Sequence, residues 1–182
     1  PLLNSSHTIP GEIEVPEGGA EGVILASGDG DTGCDLYLFK GTPVFVWNLM
    51  DLERIKWEGS EPLGPGKHIV EFDFDYDGLG VGTLEYNSFS GLGRPGTGTL
   101  KVNGTVVDTK KMKKTVPMIL QWDESFDIGS DTLTGVNDAD YQPPFPLTAQ
   151  LNKLTITIDR PQLSEADINK LKTAMRNNKS SE

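Results

Sequence analysis

Along the chain, apolar and polar residues alternate with a period of two in segment after segment, the spacing that puts one face of a β-strand in a core and the other in water. The clearest case is His68 to Asp77, where Val70, Phe72, Phe74 and Tyr76 alternate with Glu71, Asp73, Asp75 and Asp77. Glu12-Ile13-Glu14-Val15 repeats the pattern and stops at Pro16, with Glu17-Gly18-Gly19 turning the chain. Val23 to Ala26 is a short apolar run. Cys34 to Phe39 and Val44 to Trp47 form a hairpin across the tight Lys40-Gly41-Thr42-Pro43 connection. Thr99 to Val102, Asn103-Gly104 and Thr105 to Val107 form a second hairpin, because Asn-Gly tolerates the positive φ angles of a type I′ turn. Met118 to Trp122, Ser125 to Ile128 and Leu147 to Ile158 supply further strands, giving about ten to twelve short ones.

After Pro161 the period lengthens. Ser164-Glu165-Ala166-Asp167 has the form of a capping box, and Ile168, Leu171 and Met175 recur at helical spacing, so one helix is expected over about 165–176 with an irregular end after it. Two long connections interrupt the strands. Gly78 to Gly98 is Gly-rich and expected to protrude. Asp131 to Pro146 carries Pro143, Pro144 and Pro146, which keep it extended and out of central strands. Twenty-one glycines and twelve prolines punctuate the rest at sandwich spacing. The expectation is an all-β, two-sheet antiparallel jelly-roll sandwich over 1–160, followed by a C-terminal helix and tail over 161–182.

The Leu36-to-Trp47 hairpin adds a constraint, because Leu36 and Leu38 alternate with Tyr37 and Phe39, and Val44 and Val46 with Phe45 and Trp47. Both faces are apolar, whereas a sandwich buries one face of each sheet. Something must cover the second face: a loop, the C-terminal helix or another domain. The expected cover is the rest of a parent polypeptide, since the Pro1-Leu2-Leu3-Asn4 start reads as a cut within a longer chain.

Composition narrows the function. The 182 residues suffice for one well-filled domain. A formal net charge of −11 repels phosphate backbones and anionic lipid, which argues against nucleic acid as partner. Apolar runs such as Val44 to Val46 are too short for membrane insertion by a helix. Cys34 is the lone cysteine, so no internal disulfide forms and the compartment stays open between periplasm and cytoplasm, the periplasm being preferred.

Candidate chemistry is sparse. His7 and His68 are the two histidines, and neither adjoins a nucleophile elbow. Gly28-Asp29-Gly30-Asp31-Thr32-Gly33-Cys34-Asp35 makes Asp29, Asp31 and Asp35 weak candidates for a calcium site, without the distal bidentate Glu of an EF-hand. Asn137-Asp138-Ala139-Asp140 is a second, weaker acidic loop. Asp73, Asp75 and Asp77 share a strand face as paired glycosidase acids could, although such a row more simply solubilises a sheet. Trp47, Trp57 and Trp122 could stack on sugars or fill the core. No catalytic residue is assigned.

Several pieces in order resemble the C-terminal region of a bacterial arylsulfatase family: Ile13 to Ala26, Trp47-Asn48 followed by Leu52-Glu53-Arg54, Gly96-Thr97-Gly98-Thr99-Leu100 with Val102-Asn103-Gly104, Asp127-Ile128-Gly129, and Leu151 to Ile158. The resemblance implies a concanavalin-like jelly roll behind a catalytic core of the same chain that hydrolyses sulfate esters with a formylglycine and a calcium ion. This chain has no Cys/Ser-x-Pro-x-Arg motif, so none of that chemistry maps onto it, and no cofactor is expected here. The expected role is a non-catalytic accessory domain. The alternative is a lectin-like carbohydrate-binding module that holds a sulfated glycan through Trp47, Asn48 and Arg54.

Overall fold

The computed structural model describes residues 5–28, 30, 32–49, 51–77, 93–115 and 126–159, with helical positions at 165–166, 168–169 and 172–173. The strands are β1 (His7–Val15), β2 (Gly22–Gly28), β3 (Thr32–Phe39), β4 (Thr42–Leu49), β5 (Glu53–Glu58), β6 (Gly66–Tyr76), β7 (Gly96–Val102), β8 (Thr105–Met112), β9 (Phe126–Ile128), β10 (Ser130–Asp131), β11 (Phe145–Pro146), β12 (Gln150–Leu154) and β13 (Thr157–Ile158). One sheet runs β12-β1-β6-β7-β8, with β13 also paired to β1; the other runs β5-β4-β3-β2-β9. Every pairing is antiparallel. The expected all-β jelly-roll sandwich is therefore the architecture found.

Local chemistry explains the register. Asn103 and Gly104 take φ of 50° and 78°, which closes β7 onto β8 with Val102 opposite Thr105. Lys40 and Gly41, at φ 51° and 83°, close β3 onto β4 in the same way. Pro10 lies inside β1, where it has no N–H to give. The neighbouring edge breaks there: β12 pairs with Gly11 to Glu14, β13 with His7 and Thr8, and between them the Pro10 carbonyl accepts from Thr155 N at 3.1 Å. The expected single run from Leu147 to Ile158 is thus two strands.

Between the sheets, Ile9, Ile13, Val70, Phe72, Phe74 and Leu100 from one side meet Leu25, Leu36, Leu38, Phe45, Trp47 and Trp57 from the other. Phe45 and Phe72 stack, and Trp57 sets its edge against both. The Trp57 indole donates to the Gly98 carbonyl at 2.9 Å, so its one polar atom is satisfied in the interior. A Cβ at Gly98 would lie 2.5 Å from the Trp57 ring and 2.7 Å from Phe72. The Gly-x-Gly of residues 96–98 therefore belongs to a strand that must approach aromatic rings closely, not to the protruding loop expected there. Residues 78–92 and Met118 to Trp122 lie outside the described residues.

β5 is an element the sequence reading did not identify. Its Arg54, Lys56 and Glu58 face out, while Ile55 and Trp57 face the core, a period of two that its four charged residues disguise. The second apolar face of the β3–β4 hairpin is also resolved. Val23, Ala26, Tyr37, Val44 and Val46 pack under Val136 and Tyr141, with Phe39 and Phe145 alongside. The cover is the chain's own 131–146 segment, pinched at its base by β10–β11. This corrects the expectation that another part of a parent polypeptide lies on that face. The helix is not the cover either, since its described positions are all exposed.

Gly98→Ala is expected to destabilise the fold by about 1–3 kcal/mol through overpacking against Trp57 and Phe72. Gly18→Ala, where nothing lies within 4 Å of the new Cβ, should stay within about 0.5 kcal/mol of the parent. Urea unfolding of both measures this, and equal midpoints would refute the close approach.

Candidate functional site

The 131–146 segment is held on the sheet by its polar residues. Asp35, central in β3, is fully buried on the outer face. The Tyr141 hydroxyl lies against Asp35 Oδ2 and, at 2.6 Å, against Asp131 Oδ2. A phenol carries one proton and can donate to one carboxylate only, so the second contact needs a proton on a carboxyl. Asp35 is the one that keeps it. Burial raises its pKa well above the ordinary value, the Tyr141 hydrogen bond opposes this, and the Asp131 charge adds to it. Beside it, the Tyr37 hydroxyl donates to Asp140 Oδ2 at 2.5 Å and accepts from Asn137 Nδ2 at 2.9 Å. Burial is the main cause raising both phenols' pKa values, so Tyr37 and Tyr141 stay protonated donors.

β5 supplies the cations. Lys56 pairs with Asp140 at 2.8 Å and Glu58 at 3.2 Å. Burial works against its charge, but these two carboxylates hold its pKa above the ordinary value. Arg54 pairs with Asp138 at 2.5 Å and Asp51 at 2.8 Å. The Arg54 hydrogen bond lowers the Asp138 pKa, and the same contact raises that of Arg54. Asp51 sits at the β4–β5 turn with φ 53°, and its N–H donates to Asn48 Oδ1 at 3.1 Å.

Where the segment rests on the β4–β5 turn, a cleft of roughly 600 Å³, counted to its open mouth, is lined by Gly30, Asp51, Arg54, Leu133, Thr134, Gly135, Asp138, Gln142 and Pro143. Leu133 is 60% exposed. Thr134 and Gln142 are exposed as well, and the Gln142 amide also reaches the Asp138 carbonyl at 3.3 Å. A depression of similar size at Gly18 to Glu21, Lys40 and Thr148 offers less: the Thr148 hydroxyl is already bonded to the Glu21 backbone, and the Lys40 ammonium lies over Phe39.

The structure divides the residues singled out from the sequence. Arg54 lines the cleft. Asn48, opposite Arg54 in the ladder, is fully buried behind it, donating to the Gly30 and Val136 carbonyls at 2.5 and 3.2 Å. Trp47 points the other way, into the inter-sheet core beside His7, Cys34 and Phe74. A sugar at the surface does not meet its ring, so the three do not form one site. Trp57 is core too, and Trp122 lies outside the described residues.

Asp29 and Asp31 also lie outside the described residues, and Asp35 is spent on Tyr141. Among the described residues no group of three His, Cys, Asp or Glu side chains converges as a metal site. His7 bonds the Ser5 carbonyl at 2.9 Å and His68 that of Gly64 at 2.8 Å. The buried Cys34 thiol is pushed up to about 12, mainly by burial. Lys101 pairs with Glu71 and Asp73, and Lys111 with Asp77, so the acidic row on β6 is a solvated, cross-strand-paired face. Tyr37, Lys56, Asp131, Tyr141 and Gln142 were not singled out from sequence. The nearest signal was the loop Asn137-Asp138-Ala139-Asp140, just before Tyr141, weighed there only as a cation loop.

No protein-family model and no curated protein sequence matches this chain. Solved structures do. The CBM40 module of the Ruminococcus gnavus IT-sialidase, bound to α2,3-sialyllactose, matches with a TM-score of 0.57 at 15% identity over 93% of this chain and 83% of that one. A second structure of the same module gives 0.57 at 15% over 93% and 84%, and one bound to α2,6-sialyllactose 0.54 at 14% over 93% and 82%. At that identity the match establishes a shared sandwich fold. These neighbours are sialidase carbohydrate-binding modules and not sulfatase C-terminal domains, which corrects the arylsulfatase resemblance. With it goes the ground for a sulfatase catalytic domain as partner and for the calcium and formylglycine attached to it. Most pieces that carried the likeness are scaffold: Pro16 to Gly19 is a turn, Asn103-Gly104 a hairpin turn, and Asp127 and Ile128 an edge strand, whereas Asn48 and Arg54 belong to the cleft and its support.

The buried Asp35 carboxyl gives a pH signature. Its folded pKa is raised above the unfolded value of about 3.9, so the native state binds more protons. The stability this contributes is fully present below about pH 3.9 and lost as pH rises through the folded value. Asp35→Asn removes that titration, so its stability relative to the parent should climb with pH across 4 to 8. Parallel urea-unfolding profiles across that range would exclude a protonated Asp35.

Proposed function

We propose that this chain is a carbohydrate-binding module that holds a glycan in the cleft between the β4–β5 turn and the 131–143 segment. The observation that carries this reading is the composition of the cleft. Within one open depression of sugar size, a donor (Gln142), acceptors held by Arg54 (Asp51 and Asp138) and a hydroxyl that serves as both (Thr134) surround the exposed Leu133 and the half-buried Pro143. A pyranose presents the complement: a ring of hydroxyls that donate and accept, and C–H faces that prefer apolar contact.

The site is also preorganised. Asn48 fixes the turn from beneath, and the phenol–carboxylate network holds the segment, so little ordering remains to oppose binding. The sandwich shared with the CBM40 modules, two of which carry sialyllactose, agrees with the reading without proving it. No aromatic platform lines the cleft, so single-site affinity should be modest. A monosaccharide of about a dozen heavy atoms at ~0.3 kcal/mol each gives about 4 kcal/mol, a Kd on the order of 1 mM.

Glycan-array or affinity-electrophoresis retention of the purified chain tests this, charged and uncharged glycans alike. We expect retention by at least one glycan, weakened about tenfold by Gln142→Ala with an unchanged circular dichroism spectrum. No retention by any glycan, or an unaffected Gln142→Ala variant, would falsify the reading.

A further inference from the structure

Resting on the carbohydrate-binding reading, we infer that the cleft selects uncharged sugars and rejects sialylated or sulfated ones. Capture of an anionic sugar needs a cation whose charge is not already neutralised. Among the described residues lining the cleft the one cation is Arg54, and it faces two carboxylates. Its Nη1 serves Asp138 at 2.5 Å and Asn137 Oδ1 at 3.5 Å, and its Nη2 holds Asp51 at 2.8 Å, which leaves one Nη2 N–H, beside that carboxylate. Its Nε is buried with no hydrogen-bond partner, turned away from an incoming ligand. A sugar carboxylate or sulfate would have to share that N–H with Asp51 beside it, or displace one of the charge-assisted pairs and sit next to the displaced carboxylate. The field of a chain of net charge −11 opposes the approach as well.

For a neutral sugar the same atoms are an asset. Asp51 and Asp138 are 63% and 66% exposed, each joined to Arg54 through Oδ1. Their outward oxygens can accept from sugar hydroxyls while Arg54 holds the two carboxylates in place. Gln142 and Thr134 can donate to the same ligand, and Leu133 and Pro143 meet its C–H face. Arg54 is then a positioning residue for two acceptors, not the anion receptor expected from sequence.

The test displays uncharged oligosaccharides ending in glucose, galactose or mannose beside their sialylated or sulfated counterparts. Isothermal titration and amide chemical-shift mapping follow on the best-retained pair, for example lactose against α2,3-sialyllactose. We expect the uncharged member to bind at least about tenfold tighter, with shifts centred on residues 133–143 and on Asp51 to Arg54. The affinity of the charged member should rise with added salt as repulsion is screened. Asp51→Asn combined with Asp138→Asn should shrink the preference to about threefold or less, and Gln142→Ala should weaken both members without changing their ratio. Equal or tighter binding of the anionic member overturns the inference and leaves the carbohydrate-binding reading standing, whereas shifts that map elsewhere overturn the placement of the glycan in this cleft as well. Failure of every glycan to bind removes both.

Discussion

The structure depends on sealing a sheet that is apolar on both faces. β3 and β4 must carry large side chains inward to close the sandwich, and they carry Tyr37, Val44 and Val46 outward too. Left in water, that outer face would be an adhesive patch. The 131–146 segment seals it, with Val136 and Tyr141 as the apolar contact. Because its backbone is irregular, specificity comes from side chains: Asp131, Asn137, Asp138 and Asp140 each find a partner on β3 or β5 or in Tyr141. A run that looks like a solvated acidic loop is thus a row of fasteners.

The same fasteners make the surface that can bind. Anchoring the segment through Arg54 and Asp138 leaves their outer edges, with Asp51, Gln142 and Leu133, around an open cleft. A site built from a loop is ordinarily imprecise, because loops move. Here the loop rests on the rigid centre of a sheet, and a protonated Asp35 and the Tyr141 phenol lie beneath it. Structure and proposed function therefore share their atoms: the ion pairs that hold the cover also decide which ligand charge it accepts.

Much of the scaffold was legible in the sequence because its causes are local. Asn103-Gly104 writes a hairpin by backbone conformation alone, and the alternation through β6 writes a half-buried strand. That both faces of the Leu36-to-Trp47 hairpin are apolar announced that a cover must exist. Its identity was not legible, because the contacts that decide it join residues 100 or more positions apart, Tyr37 with Asn137 and Asp35 with Tyr141. β5 was missed because Glu53, Arg54, Lys56 and Glu58 mask the inward Ile55 and Trp57. Trp47 and Arg54 looked like neighbours in a site, but Trp47 on β4 and Arg54 on β5 point to opposite faces of the sheet. The arylsulfatase likeness failed for a related reason: apart from Asn48 and Arg54, its pieces are turns and strands that recur wherever a jelly roll closes, and they carry no chemistry.

Native-state hydrogen exchange tests the sealing most directly, because it reads the opening free energy of the segment separately from that of the sheet. The account predicts that the amides of Tyr141 and Leu147, bonded to the Asn137 and Gly129 carbonyls, exchange with the same opening free energy as the amides of β3. Exchange there orders of magnitude faster, with β3 still protected, would mean that the segment lifts off a sheet able to stand without it.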